Sequence, residues 1–288
     1  MLSSTKSRII VLVVLIGAAA LIWGNFGSNQ EDRQTVRLGY VEWATEVAST
    51  NVVKVALEDQ LDVAVEIIPV DAAVMWQGVA SGDFDAIVAA WLPGTHKDYY
   101  EKTKDKVDYL GPNLEPAKIG LVVPSYVEID SIAELNSIRD KIDGQIIGID
   151  PGAGVTQAAR QAIADYGLDL KLVESSGAAM TATLASAIRN EEWVVVTGWS
   201  PHWKFQKWDL KYLADPKGSF GEAEYIATIA RNGLREDLPE VYKFLDNFKW
   251  DVSDMESVMV DIEDGMDPED AARKWVDNNK DKVRSWAR

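Results

Sequence analysis

The chain has 288 residues, 47% of them hydrophobic and 26% charged, a composition that predicts an ordered globular protein with one large or two medium cores. The formal net charge of −17 disfavours nucleic acid and anionic lipid headgroups as partners, because both are polyanions. The absence of cysteine excludes disulfides, thiolate metal sites and a cysteine nucleophile. With only two histidines, a multi-histidine metal centre is hard to assemble, and we expect neither a metal nor a cofactor.

The first 30 residues have the pattern of an export signal. Lys6 and Arg8 precede an apolar run over residues 9–23, and a polar spacer follows. This run is shorter than the roughly 20 residues that a membrane span needs, so residues 1–30 are either a cleaved signal peptide or an uncleaved anchor. Both alternatives predict that the rest of the chain lies outside the cytoplasm, in the periplasm or on the outer face of the plasma membrane.

From residue 36 onward, short β-rich runs alternate with amphipathic helical stretches. The predicted strands cover residues 36–40, 63–70, 84–90, 119–123, 145–149, 170–174, 193–197, 211–213 and 225–230. The predicted helices cover residues 46–60, 71–80, 132–136, 155–166 and 176–190, and most of the chain after residue 230. This alternation predicts βαβ units and an α/β fold, with parallel-rich sheets flanked by helices.

The strand-helix-strand-helix-strand pattern occurs twice, without a sequence repeat between the two copies. We therefore predict two lobes, with residues 36–120 and 227–288 in lobe I and residues 121–226 in lobe II. The chain would cross between them twice, over residues 115–127 and 222–231. Two crossings predict a two-segment hinge, with a ligand cleft between lobes that can close on each other.

Four short segments each follow the carboxyl end of a predicted strand, which is where ligands bind to open parallel sheets. They cover residues 39–43, 91–96, 150–155 and 198–203. Three of these segments offer a tryptophan on a predicted short loop bounded by glycine or proline, namely Trp43, Trp91 and Trp199, whereas Trp203 is expected to be a packing residue. Any one of the three alone could be a packing residue. Their equivalent positions predict that the three together line one cleft.

The segment over residues 150–155 carries glycines and leads into a predicted helix. Unpaired backbone N–H groups at a helix N-terminus bind anions, so this turn predicts a carboxylate or phosphate site, although a glycine-rich turn alone is a weak signal. His96 could donate a hydrogen bond to the same anion, and a purely structural role for it stays open. Tryptophan faces attract a cation that lacks N–H donors, so the implied ligand is a small zwitterion.

The four segments together resemble the glycine betaine/proline betaine substrate-binding proteins of ABC transporters, the OpuAC/ProX-like family. The segments that carry the resemblance are Gly39-Tyr-Val-Glu-Trp43, Trp91-Leu-Pro-Gly-Thr-His96, Gly148-Ile-Asp-Pro-Gly-Ala-Gly154 and Trp199-Ser-Pro-His-Trp203. The resemblance covers the chain from about residue 36 to its end. It implies a two-lobed type II periplasmic-binding-protein fold and docking on a membrane permease.

The resemblance also implies roles for individual residues. A prism of three tryptophans surrounds a trimethylammonium group in this family, and the matching residues here are Trp43, Trp91 and Trp199. The carboxylate is bound by a histidine and by backbone amides of the glycine-containing turn, matching His96, Gly154 and Val155. The lipidation cysteine of many members is missing, so any membrane tether must come from the N-terminal segment.

Two alternatives differ from a glycine betaine-binding protein. An enzyme is disfavoured, because no His-Glu-x-x-His, no Gly-x-Ser-x-Gly and no cysteine nucleophile occurs. A binding protein for choline, carnitine, proline betaine or a sulfonium analogue would use the same cage, and a sugar could stack on tryptophan. The sequence therefore predicts an extracytoplasmic protein that captures glycine betaine or a related quaternary-ammonium osmolyte for an ABC importer.

Overall fold

The computed structural model describes residues 33–288, so the predicted signal peptide or anchor over residues 1–30 lies outside the described part of the chain. The strands of residues 33–288 are β1 (Thr35–Tyr40), β2 (Ala64–Pro69), β3 (Ala86–Leu92), β4 (Val107–Pro124), β5 (Gln145–Ile147), β6 (Lys171–Val173), β7 (Val196–Ser200), β8 (Leu210–Tyr212) and β9 (Glu224–Arg231). No helix within this range is both long and apolar enough to cross a membrane.

Helices follow most of the strands. They are α1 (Ala44–Leu61), α2 (Ala72–Ser81), α3 (Lys97–Thr103), α4 (Gly154–Tyr166), α5 (Gly177–Arg189), α6 (Lys204–Lys207), α7 (Leu234–Asp237), α8 (Pro239–Asn247), α9 (Val252–Glu263), α10 (Pro268–Asn278) and α11 (Lys280–Trp286). Two further segments, Lys104–Lys106 and Ile132–Ile142, are 3₁₀-helical. The C-terminal helices are predicted correctly as a helical region, and α9 and α10 pack on α1.

The strands follow the order β2-β1-β3-β9-β4-β7-β5-β6, and β8 pairs with β4. β1 pairs in parallel with β2 and β3, and β5 pairs in parallel with β6 and β7, as βαβ units require. The central pairs β3–β9, β9–β4 and β4–β7 are antiparallel and join the two parallel groups. The predicted α/β class is confirmed, with a mixed rather than purely parallel arrangement.

The residues expected to cross between two lobes lie largely in β4 and β9. These strands are neighbours, with Ala117 opposite Glu224. The first part of β4 pairs with β9, and its last part pairs with β7 and β8, so this one strand connects the two parallel groups. The division into lobe I and lobe II stays a prediction.

Some predicted strand positions are wrong, and two of the errors concern Trp91 and Trp199, which were predicted to line the cleft. All seven residues of β3 are buried, and the strand continues to Leu92, so Trp91 lies inside it rather than on the following loop. β7 begins at Val196, not at residue 193, because its pairing partner in β4 lies opposite residues 196–200. Trp199 is therefore also a strand residue. Of the three tryptophans, Trp43 alone lies on a loop, as predicted.

Strand β4 is much longer than predicted, and α3 is missing from the prediction. The sequence of β4 contains Gly111, Pro112 and Pro116, which interrupt the alternation that marks a strand. These residues are tolerated because the pairing with β9 shifts register between Tyr109 and Ala117, as at β-bulges. Helix α3 has the polar sequence KDYYEKT, which shows no clear apolar period.

The glycine that begins the segment over residues 39–43 has a packing role. A Cβ atom on Gly39 in β1 would lie 2.4 Å from Cδ2 of Phe84, and a Cβ atom on Gly78 in α2 would lie 2.4 Å from Cε2 of the same ring. The buried Phe84 ring thus fills the space that both glycines leave between strand and helix. Overpacking at such a position costs stability because the surrounding core is close-packed.

We predict that Gly39→Ala lowers the free energy of unfolding by about 1–3 kcal/mol, since the new methyl group displaces the Phe84 ring. Urea denaturation of the single variants and of Gly39→Ala/Phe84→Leu measures the effect as a double-mutant cycle. The smaller leucine should relieve the clash. The double variant should therefore lose less unfolding free energy than the two single variants lose in sum. Strict additivity would contradict this account of Gly39.

Candidate ligand-binding site

All six residues selected from the sequence line one cavity. They are Trp43, Trp91, His96, Gly154, Val155 and Trp199. Five further residues complete the wall, namely Thr45, Thr95, Ile119, Ile149 and Ala153. The three indoles come from three different elements, yet each is at most 7% exposed. The cavity is therefore lined by apolar and aromatic surface with a few polar groups, the usual character of a small-molecule site.

Strand register fixes the positions of two of the three tryptophans. Trp91 is the penultimate residue of β3 and lies opposite Ile226 of β9. Trp199 lies in β7 opposite Ile119 of β4, and both of these side chains reach the cavity. Trp43 follows β1 and occupies the N-cap position of α1. The strand ends that were expected to meet therefore do meet at one cavity.

His96 is attached to Trp91 by two hydrogen bonds. The backbone N–H of Trp91 donates to Nδ1 of His96 at 3.1 Å, and the backbone N–H of His96 donates to the carbonyl of Trp91 at 2.8 Å. Because Nδ1 accepts, the ring proton is on Nε2. Nε2 is buried and finds no hydrogen-bond partner among the described residues. The imidazole is thus a neutral donor without an acceptor at the wall of the cavity.

Burial sets the protonation state of His96. The side chain is fully buried, and this lowers the pKa of His96 from 6.5 to about 3, opposed by an interaction with the backbone of Ala89. His96 is therefore uncharged near neutral pH. A ligand carboxylate at Nε2 would receive a hydrogen bond from a neutral imidazole.

The glycine-containing turn lies against the His96 segment at very short range. A Cβ atom on Gly154 would lie 2.3 Å from the carbonyl oxygen of Thr95, so no other residue type fits there without moving the backbone. Gly154 and Val155 begin α4, and the intrahelical ladder starts after them, since the N–H groups of Thr156 and Gln157 donate to the carbonyl of Ala153. The first two amides of α4 thus have no partner in the intrahelical ladder.

A buried acid holds the turn between Trp91 and His96. Glu224 at the start of β9 is 5% exposed. Its Oε1 accepts the backbone N–H groups of Gly94 at 2.8 Å and of Thr95 at 2.5 Å, and its Oε2 accepts the Thr95 hydroxyl. A strand of the central sheet thereby fixes the loop that carries His96.

Two more acids accept hydrogen bonds from the indole N–H groups of two tryptophans on the cavity wall. Nε1 of Trp91 donates to Oε1 of Glu46 at 3.3 Å, and Nε1 of Trp43 donates to Oδ2 of Asp150 at 3.0 Å. Burial raises the pKa of Glu46 well above its usual range, opposed by the hydrogen bonds from Trp91 and from the backbone of Val41. Both indoles are thus fixed in orientation at the edge that bears the N–H group.

Trp199 has a different neighbour. Nζ of Lys204 lies 4.5 Å from the Trp199 ring centroid and is completely buried. Burial lowers the pKa of Lys204 well below its usual range, so the amine is pushed toward its neutral form. Lys204 does not line the cavity, and a neutral amine does not compete with a cationic ligand for the ring.

The sequence did not identify the supporting acids. Glu46, Asp150 and Glu224 are three of 46 acidic residues, and only tertiary contact distinguishes them. Thr45 and Thr95 adjoin selected residues and could have been found by that proximity. Within residues 33–288, no group of three His, Cys, Asp or Glu side chains is placed to hold a metal ion.

The mixed sheet and the aromatic cavity are those of a substrate-binding protein of the periplasmic type. Two solved structures have the same fold. Lactococcal OpuAC, in its closed-liganded conformation complexed with glycine betaine, is 47% identical with a TM-score of 0.85, covering 88% of this chain and 100% of that one. The glycine betaine/L-proline-binding protein ProX of Borrelia burgdorferi is 39% identical with a TM-score of 0.84, covering 88% and 96%.

The chain belongs to the OpuAC family, the substrate-binding domain of ABC-type glycine betaine transport systems. The sequence profile of this family matches residues 34–278. Among curated proteins, the glycine betaine/carnitine transport binding protein GbuC of Listeria monocytogenes is 53% identical over 152 residues. That match covers 52% of this chain and 51% of GbuC, so the chain spans about half the length of this curated relative. The family resemblance found in the sequence is confirmed, and the family is one of transport proteins rather than enzymes.

The lowered pKa of His96 predicts a loss of stability in acid. The unfolded chain takes up a proton at His96 near pH 6.5, whereas the folded protein stays neutral there down to about pH 3. The contribution of His96 to the free energy of unfolding is therefore fully present above pH 6.5. It is lost as the pH falls from about 6.5 toward 3, at up to about 1.4 kcal/mol per pH unit.

His96→Gln cannot titrate, so its unfolding free energy should fall less steeply than that of the wild type between about pH 6.5 and pH 4.5. Urea denaturation at several pH values in this interval measures both slopes, and every other titrating group is common to the two proteins. Equal slopes would show that His96 is not held neutral in the folded protein.

Proposed function

We propose that this chain captures glycine betaine in the cavity and delivers it to the membrane permease of an ABC importer. The observation that carries the proposal is that two kinds of chemical group line the same cavity. The indoles of Trp43, Trp91 and Trp199 are the aromatic groups. The neutral N–H donor of His96 and the first amides of α4 are the polar groups. A small zwitterion with a quaternary cation satisfies both.

The aromatic groups suit a cation that has no N–H donors. A desolvated cation–π contact is worth about 2 kcal/mol, so three indole faces supply roughly 6 kcal/mol. A trimethylammonium group loses no hydrogen bonds when it enters such a wall, whereas a primary ammonium would leave three donors without acceptors. The carboxylates of Glu46 and Asp150 are already engaged with indole N–H groups. The wall therefore favours methylated over unmethylated amines.

The polar groups suit a carboxylate. His96 Nε2–H and the backbone N–H groups of Gly154 and Val155 would each donate to it, at about 1.5–3 kcal/mol per charge-assisted hydrogen bond. Without an anion, the buried Nε2–H of His96 has no partner among the described residues, which is a cost that the ligand removes. After the cost of ordering the ligand and the protein, micromolar affinity, or about −8 kcal/mol, is expected.

We further propose that ligand capture closes two lobes, residues 36–120 with 227–288 and residues 121–226, about a hinge in β4 and β9. Three contacts join residues of the two proposed lobes beside the cavity. They are the Trp43–Asp150 hydrogen bond, the 2.9 Å bond from the Tyr99 hydroxyl to the Gly152 carbonyl, and the close approach of Gly154 to Thr95. Closure of this kind excludes water and strengthens the electrostatic contacts.

The proposed function places the protein outside the cytoplasm, in the periplasm or on the outer face of the plasma membrane. Residues 1–30 would direct its export, as a cleaved signal peptide or as a retained anchor. The membership in a transport-binding family and the basic and apolar pattern of the N-terminal sequence support this location.

Related solutes use the two kinds of group differently. Choline has the cation but lacks a carboxylate, so it leaves the His96 donor unpaired. Carnitine places its carboxylate farther from the cation. A sulfonium analogue of betaine preserves both the charge and the spacing and should bind most nearly like betaine. A sugar offers no charge to either kind of group.

We predict that Trp91→Ala weakens glycine betaine binding by about 2 kcal/mol, roughly thirtyfold in Kd, because one aromatic face is removed. Isothermal titration calorimetry with the wild type and the variant measures this directly. Trp193→Ala is the matched control. Trp193 is half-buried, contacts Lys141 at 3.8 Å from its ring centroid, and does not line the cavity.

Trp193→Ala should leave the affinity within about twofold of the wild type. An unchanged affinity in Trp91→Ala would remove that residue from the binding site. A wild-type protein that binds betaine no better than choline would remove the proposed carboxylate contacts.

A further inference from the structure

Glu46 is a buried acid whose position is not explained by the ligand contacts proposed above. It lies in the first turn of α1, three residues after Trp43, and is 1% exposed. It is not among the residues that line the cavity, and its Oε1 accepts the indole N–H of Trp91. Its Oε2 is buried and finds no hydrogen-bond partner among the described residues.

Burying a carboxyl group in this position costs free energy. Its presence there indicates a role that an uncharged side chain cannot perform. An apolar residue of similar size would pack on the Trp91 edge without desolvating an acid. A glutamine would accept the same indole N–H without the cost of a buried ionisable group. Burial raises the pKa of Glu46, which reflects the energetic cost of its negative form in the empty protein. A permanent cation on the face of Trp91 would offset that cost.

The other walls of the cage show a consistent charge arrangement. The indole N–H of Trp43 also donates to an acid, Asp150, so two of the three indoles have a carboxyl group at their N–H edge. The basic group beside the third indole, Lys204 at Trp199, has a pKa lowered by burial. Two side chains able to carry negative charge therefore lie beside the three indoles, and the adjacent amine is pushed toward neutrality. Both features favour a positively charged occupant.

We propose that Glu46 is a positioning residue for Trp91, which fixes the indole by its N–H group and makes the cage select a permanent cation over an uncharged group of the same shape. The proposal rests on the function proposed above. A merely structural Glu46 would support the shape of the wall, and its loss would weaken every ligand that fills the cage. A charge-selecting Glu46 affects cationic ligands alone.

Two ligands separate these roles. Glycine betaine carries a trimethylammonium group, and 3,3-dimethylbutanoate has an uncharged tert-butyl group in its place, with the same carboxylate at the same spacing. Two variants separate the functions of the side chain. Glu46→Gln keeps an acceptor for the Trp91 indole but cannot become negative, and Glu46→Leu removes both. Glu66→Gln, at an exposed position on β2, is the control for the loss of one acidic residue.

Calorimetric titration of both ligands into the four proteins gives the result. We expect Glu46→Leu to weaken betaine at least about tenfold and 3,3-dimethylbutanoate less than about threefold. Glu46→Gln should lower the ratio of the two affinities by about threefold, with the affinity for 3,3-dimethylbutanoate unchanged. Glu66→Gln should behave as the wild type with both ligands.

Equal losses for both ligands in Glu46→Leu would overturn charge selection and leave only a structural role. An unchanged affinity ratio in Glu46→Gln would overturn it as well, and this arm decides the question even if the leucine variant does not fold. A wild-type protein that fails to bind betaine would overturn the proposed function, and with it this proposal. If the wild type binds betaine and both Glu46 variants keep its selectivity, the role of Glu46 alone would be overturned.

Discussion

The site depends on one constraint: polar edges of buried aromatic rings need hydrogen-bond partners that do not occupy the cavity. The indoles of Trp43, Trp91 and Trp199 lie on the cavity wall, and each is at most 7% exposed. Glu46 and Asp150 accept the indole N–H groups of Trp91 and Trp43. Both of these indoles are thereby fixed at the N–H edge while they remain on the cavity wall. The same requirement governs His96, whose Nδ1 is satisfied by the backbone of Trp91 and whose Nε2–H has no partner among the described residues.

The central strands connect these local constraints. β9 contributes Glu224, which holds the loop between Trp91 and His96. β4 places Ile119 opposite Trp199 and thereby sets that wall of the cavity. Because β4 and β9 are also the proposed hinge, movement there would displace the His96 loop and the Trp199 wall together. A ligand that contacts both would then stabilise one arrangement of the two strands.

The sequence predicted the fold class and the six residues on the cavity wall, because these features have local signals. Alternation of strands and helices marks βαβ units, and tryptophan beside glycine or proline near a strand end is an uncommon combination. It did not predict the supporting acids. Glu46 and Trp91 are 45 residues apart, Asp150 and Trp43 are 107 apart, and Glu224 and Gly94 are 130 apart. No local pattern distinguishes an acid that will meet a distant indole or amide from one that stays in solvent.

The predicted strand boundaries were wrong for a related reason. Trp91 and Trp199 were expected on loops because glycine or proline bounds each of them, yet both are strand residues whose pairing is set by β9 and β4. A proline two residues beyond a strand residue ends the strand without moving that residue out of it. The prediction that these side chains meet was independent of this error, since the last residues of a strand and the loop after it reach the same edge of a sheet.

The central claim is that aromatic faces, rather than hydrogen bonds, select the cation. Calorimetric titration of the wild-type protein with glycine, sarcosine, dimethylglycine and glycine betaine tests it most directly, because the carboxylate is constant while the N–H donors are replaced by methyl groups one at a time. The account predicts that affinity rises along the series, with betaine the tightest and glycine too weak to measure. A glycine or dimethylglycine affinity equal to that of betaine would contradict it.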